Sequence, residues 1–83
     1  MTVTNALGLH ARAAAKFVEV ASQFSCAIRV SAQSRTTEGK SILGLLLLAA
    51  AHGCELVILA DGPQDREAVE ALVQLTRRGF DVA

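Results

Sequence analysis

The fold is decided by the stretch "CAIRVSAQSRTTE", residues 26–38. In its first half, Ile28, Val30 and Ala32 point one way, while Ala27, Arg29 and Ser31 point the other. That period of two marks a strand with one buried face. Gln33 and Ser34 can turn the chain back into a second short strand over residues 35–38. A sheet that begins this way has one apolar face, and the flanking segments must cover it.

On the N-terminal side, residues 11–24 read as a helix. Ala14, Phe17, Val18, Ala21 and Phe24 make one apolar stripe at helical spacing, and Lys16, Glu19, Ser22 and Gln23 lie largely off it. Residues 5–9 read as a loop in which Gly8 is free to take positive φ. Residues 2–4, Thr-Val-Thr, alternate as a short strand does. On the C-terminal side, Gly39 breaks the strand pattern and Ser41 can cap a helix from Ile42 to about Ala50, ended by His52 and Gly53. The continuous apolar run over residues 55–60, rich in Val and Ile, reads as a central strand. Asp61-Gly62-Pro63 reads as a turn and helix start, with Pro63 in the first helical turn. Ala68, Leu72 and Leu75, flanked by Val69 and Val73, give that last helix its buried face. Arg77 and Arg78 complement its negative end, and Gly79 stops it.

The element order is β-α-β-β-α-β-α. It predicts an α+β open-faced sandwich: a four-stranded antiparallel sheet with three helices on one face. No internal repeat, linker or low-complexity tract divides residues 1–83, so one domain is expected.

Composition excludes several functions. The 83 residues are 52% hydrophobic, which argues against disorder, and carry eight basic and eight acidic side chains for a formal net charge of zero. With no Trp or Tyr and no basic excess, the chain lacks what a nucleic-acid partner normally needs. The apolar run over residues 42–51 is interrupted by Gly44 and falls far short of the roughly 20 residues of a membrane span. No signal peptide is visible. A soluble, cytoplasmic monomer is the expectation. Cys26 and Cys54 stand apart in apolar segments and read as small hydrophobes rather than a disulfide. With His10 and His52 they lack the spacing of a metal site, and no cofactor is implied.

His10 is the residue that invites chemistry. In "NALGLHARAAAKF", residues 5–17, it sits where a turn becomes a helix. Several backbone N–H groups there lack intrahelical partners, and the helix dipole adds partial positive charge, so the position suits an anion. The same field disfavours imidazolium and favours a nucleophilic neutral ring. Arg12 offers a planar fork of donors matched to phosphate. Together these groups suggest a histidine that accepts a phosphoryl group; a helix-capping histidine without chemistry has the same local pattern.

Three segments carry a family resemblance. "GLHARAAAKF" resembles the active-site segment of the histidine-containing phosphocarrier protein (HPr) family of the bacterial phosphoenolpyruvate-dependent phosphotransferase system. "GKSILGLLLLA" resembles that family's segment around its regulatory serine, and "ELVILADGPQDREAVEALVQL" resembles its last strand and helix. The resemblance implies that His10 is the phosphorylated histidine, modified in the family at Nδ1. It implies that Arg12 is the active-site arginine, that Ala11 and Arg12 border the phosphate, and that Ser41 is the serine modified by an HPr kinase/phosphorylase in some bacteria. The implied partners are enzyme I, which supplies the phosphoryl group, and enzyme IIA domains, which receive it. A regulatory, nitrogen-branch paralogue acting through phosphorylation-dependent binding is the alternative. Two departures stand out. Ala13 occupies the place where the family usually has proline, which keeps one more N–H beside the anion site. The chain also starts shorter than the family usually does, so either a short first strand or a misplaced start codon is expected.

Other patterns are set aside. Gly39-Lys40-Ser41 could end a phosphate-binding loop of the Walker type, but Ser34 stands where that motif needs glycine. His52 reads as a solvent-facing residue near a helix end. Asp61, Asp65, Glu67 and Glu70 read as turn and helix-end charges. A helix with leucine at 45–48 cannot bury all four on one face, so part of this helix, with Leu43, Leu46 and Leu47, is expected to form an exposed docking surface.

Overall fold

A computed structural model describes residues 2–3, 8–48, 50 and 53–82. Strand β1 (Ala27–Ala32) pairs antiparallel with β2 (Arg35–Glu38), with Val30 opposite Thr37 and Ala32 opposite Arg35. Gln33 and Ser34 between them both take positive φ, 51° and 70°. A two-residue turn of that hand matches the twist of the strands it joins. On the other side of β1, β3 (Val57–Asp61) runs antiparallel, with Val30 opposite Ile58 and Ile28 opposite Ala60.

Among the described residues the sheet order is β2-β1-β3, and Glu55, at the start of the run read as a central strand, bridges Thr2. The apolar run misleads because only one face of β3 is covered. Ile58 and Ala60 are half-buried toward the core. Val57 and Leu59 lie opposite Ser31 and Arg29 on the open face, 50% and 55% exposed. Among the described residues the sheet has three strands. The expected fourth is represented by a single antiparallel bridge from Thr2 to Glu55, and Val3 exchanges backbone hydrogen bonds with Cys54 and Gly53 at 2.8 Å each. Thr4 lies outside the described residues, as do residues 5–7 of the expected loop.

Three helices supply the rest of the core: α1 (Ala11–Ala21), α2 (Ile42–Leu48) and α3 (Asp65–Arg77). Ala14, Phe17 and Ala21 of α1, Leu45 and Leu48 of α2, and Ala68, Leu72 and Leu75 of α3 are buried with Ile28, Val30 and Ala32 in one cluster. None of these helices is long and apolar enough to cross a membrane. Cys26 is buried, Cys54 half-buried, and both thiols are free.

Helix ends shift from their expected places for local reasons. α1 stops at Ala21, where the N–H groups of Gln23 and Phe24 bond three residues back and tighten the last turn. α3 begins at Asp65 because Gln64 takes φ 61° and cannot be helical. Pro63 therefore sits in a turn closed by the Asp65 N–H and the Gly62 carbonyl, 3.2 Å, not in the first helical turn. The expected extension of α2 through Ala49, and the reading of His52, lie outside the described residues. After α3 the chain makes a 3₁₀ turn, Gly79–Asp81, in which Phe80 and Asp81 follow Gly79 into positive φ. Left-handed backbone is unfavourable for a bulky residue. Here full burial of Phe80 and a forked contact from Arg78 to Asp81, 2.8 and 3.2 Å, offset it. That contact holds the Asp81 carboxyl below its usual range.

Gly44 lets α2 lie against β2. A Cβ there would meet Thr37 Oγ1 well inside contact distance and Ser41 Oγ at 3.1 Å. Gly44→Ala is expected to cost about 1–3 kcal/mol, the usual penalty of overpacking. In a Thr37→Ala background, which removes the obstructing oxygen, the cost should shrink. Urea unfolding of the four proteins measures both effects, and equal costs in both backgrounds would place the clash elsewhere.

Candidate phosphoacceptor site

The segment before His10 is fixed at its end. Gly8 is buried with φ 67°, a conformation that favours glycine. The Leu9 N–H then donates to the Ala50 carbonyl at 2.8 Å, just beyond α2, and the Leu9 side chain enters the core. His10 follows as the N-cap of α1 with extended backbone, φ −80° and ψ −176°. Its carbonyl accepts the first helical bond, from the Ala14 N–H, at 2.8 Å.

The imidazole takes the role that a serine or aspartate usually takes at this position. Nδ1 accepts the Arg12 backbone N–H at 3.2 Å. Accepting requires a lone pair, so this contact selects the neutral tautomer with its proton on Nε2. Nε2 is shielded from solvent and has no hydrogen-bond partner among the described residues. The basic nitrogen therefore faces the helix end and the other is closed off.

The first turn of α1 contains no acidic residue, so no charge cancels the positive end of the helix dipole. Ala11 and Arg12 are both exposed. The Arg12 guanidinium makes no ion pair or hydrogen bond among the described residues. The backbone N–H groups of Ala11 and Ala13 precede the first helical bond and are free to take an anion. Ala13 is buried, its methyl group packed in the core under the site. His10, the Arg12 N–H bonded to it and the free N–H groups of Ala11 and Ala13 thus share one turn, while the Arg12 side chain lines a shallow groove with Lys16, Glu19 and Asp81.

Ser41 and the leucines lie on a different element. Ser41 Oγ accepts the Gly44 N–H at 3.0 Å and its carbonyl accepts the Leu45 N–H at 3.0 Å, so it caps α2 as expected. Leu43 and Leu47 are 67% and 63% exposed and Leu46 is at the margin of exposure, while Leu45 and Leu48 are buried. The bond from Leu9 to Ala50 ties the far end of this helix to the residue before His10.

Two supporting residues escaped sequence reasoning. Lys40 Nζ donates to the carbonyls of Phe24 and Cys26, at 2.7 and 3.0 Å, and so ties the start of the Ser41 segment to the chain leaving α1. Arg35 Nη1 donates to the Leu47 carbonyl at 3.2 Å, at the negative end of α2. Neither residue has a spacing that would announce its partner. Among the described residues no group of His, Cys, Asp and Glu could hold a metal ion.

Three comparisons with known proteins point to one family. The family model described as "PTS HPr component phosphorylation site" matches residues 1–78. The phosphocarrier protein HPr of Pseudomonas aeruginosa is 46% identical over 82 residues, covering 98% of this chain and 91% of that one. The phosphocarrier protein NPr of Escherichia coli is 38% identical over 80 residues, covering 95% and 89%. A crystal structure of HPr from Thermoanaerobacter tengcongensis superposes with a TM-score of 0.94 at 37% identity, over 100% of this chain and 93% of that one. The chain belongs to the HPr family of phosphocarrier proteins of the phosphotransferase system.

Proposed function

We propose that the protein takes a phosphoryl group onto His10 Nδ1 from a phosphohistidine of enzyme I and passes it to a histidine of an enzyme IIA domain, in the cytoplasm. The observation that carries this reading is the Nδ1 lone pair held at the uncompensated helix end, with Nε2 closed off. In the transfer, that lone pair forms the N–P bond as the P–N bond to the donor imidazole breaks, and the donor ring leaves with the electron pair. The Arg12 N–H loses its acceptor at that moment and turns to a phosphoryl oxygen, beside the N–H groups of Ala11 and Ala13 and the guanidinium of Arg12. Phosphohistidine is exchanged for phosphohistidine, so the carrier needs no strong driving force. It does not turn over a substrate alone, because the partner supplies the other half of the active site. Leu43, Leu46 and Leu47 give that partner an apolar surface to sit on.

Arg12→Lys tests the guanidinium. The charge stays but the planar fork is lost. Transfer from enzyme I and to enzyme IIA should slow, while stability stays within about 0.5 kcal/mol because the side chain is exposed. Unchanged kinetics with both partners would reduce Arg12 to a solvated helix charge.

Ser41 is the proposed site for a kinase/phosphorylase. A phosphate there adds roughly −1.5 to −2 charge at the start of α2, which the helix dipole tolerates. The same charge borders the apolar leucines, where docking would have to desolvate it. Ser41→Asp should melt within a few degrees of wild type yet accept phosphate from enzyme I more slowly. Wild-type rates, or loss of the fold, would each reject a docking switch.

The similarity to NPr supports a second reading, a regulatory paralogue that acts through its phosphorylation state. Parallel transfer assays separate the two. Preference for the enzyme I that serves sugar uptake favours the first, and preference for a nitrogen-branch enzyme I favours the second.

A further inference from the structure

Away from His10, a groove of about 540 Å³ opens where α3 flanks the outer side of β3. Ala60, Val69 and Val73 form its apolar floor, all half-buried, the exposed Asp65 and Arg77 lie at its two ends, and the exposed Arg66, Glu70 and Gln74 also line it. Among the described residues β3 pairs with β1 along Val57–Asp61. No lining residue belongs to α1, α2 or the segment that carries His10.

Asp65, Val69, Val73 and Arg77 are spaced four residues apart and form one ridge of α3. Read along the helix the ridge runs acid, valine, valine, base. Turned end for end it is its own complement. Asp65 meets Arg77 of the second copy, Val69 meets Val73, and the same contacts repeat about the twofold axis. An isologous interface requires this of a surface patch, and two ridges of this kind pack together with the helices crossing at about 50°. Among the described residues neither charge is paired: Arg77 makes no ion pair, and Asp65 accepts only the N–H of Arg66, at 2.7 Å. We propose that α3 docks against α3 of a second copy of this chain, antiparallel, to form a twofold dimer through this groove. The contact is small, so association is weak and depends on concentration.

Sedimentation equilibrium of the wild-type chain, from micromolar to millimolar, is expected to show the average mass rising from 8.7 kDa toward twice that value. Asp65→Arg and Arg77→Asp each set like charges opposite one another and should each remain at the monomer mass. Mixed in equal amounts, the two variants should dimerise again, because each supplies the charge the other lacks. That recovery also requires both variants to be folded. A wild-type chain that stays monomeric at every concentration, or single variants that dimerise as well as wild type, would overturn the proposal and leave the groove to another occupant.

Discussion

His10→Ala should abolish labelling from phosphoenolpyruvate and enzyme I. The expected loss is complete rather than partial, because no other group in the site can stand in for the Nδ1 lone pair. Ser41 Oγ is committed to capping α2, and a hydroxyl attacks a phosphohistidine poorly without a base beside it. His52→Ala should leave labelling intact. The wild-type label should be lost in acid and kept in alkali, as the N–P bond of a phosphoramidate is. Stability should change little, since the imidazole contributes a cap hydrogen bond, worth about 0.5–2 kcal/mol where such caps have been removed. A variant that melts normally but takes no label separates the acceptor from the scaffold. Persistent labelling of His10→Ala would reject the assignment.

The second large effect is on the scaffold. Phe17 is fully buried and lies two turns along α1 from His10. Phe17→Ala should cost about 3–5 kcal/mol, from lost transfer energy and the cavity left behind. A domain of this size has only about 4–12 kcal/mol of total stability, so much of the margin would go. Phe17→Leu fills most of the space and should cost far less. Urea midpoints of the three proteins give the ranking. Because Ala13 and Ala14 of the same helix also pack in the core, loosening Phe17 should reduce labelling as well, without touching the site. Near-wild-type stability of Phe17→Ala would mean the core can collapse around the gap.

What the sequence disclosed follows from which forces are local. The alternation of residues 26–32 and the stripes on α1 and α3 could be read directly, since burial on one face leaves its period in the sequence. Leucine at four successive positions could likewise be read as more apolar surface than one face can hide. The place of His10 at the head of a helix was legible from Gly8 before it and the apolar stripe after it. The open face of β3 was not legible. The run over residues 55–60 places apolar residues on both faces, and nothing in it records that one face stays open. The preference for one imidazole nitrogen was hidden too, because it depends on the ring's rotamer against the Arg12 N–H. The contacts of Lys40 and Arg35 with carbonyls, and the left-handed turn at Phe80, depend on chain that is distant or on backbone that propensity disfavours.

The hydrogen bond from Leu9 to Ala50 also bears on the order in which the molecule assembles. Helices α1 and α3 and the β1–β2 hairpin are built from neighbours in sequence and can form early, before much loop entropy has been spent. The bonds that settle the chain ahead of His10, from Leu9 to Ala50 and between Val3 and residues 53–54, join widely separated parts of it. Closures of that kind cost the most loop entropy, and we expect them to form late and to open early when stability falls. A chain caught before this closure has its secondary structure and most of its core, but His10 is not yet held at the head of a helix. Such a species should look nearly native by circular dichroism, while the Leu9 amide exchanges its hydrogen quickly and labelling of the proposed acceptor is lost. On the proposed function, the capacity to carry a phosphoryl group should therefore be acquired late in folding and lost early in unfolding.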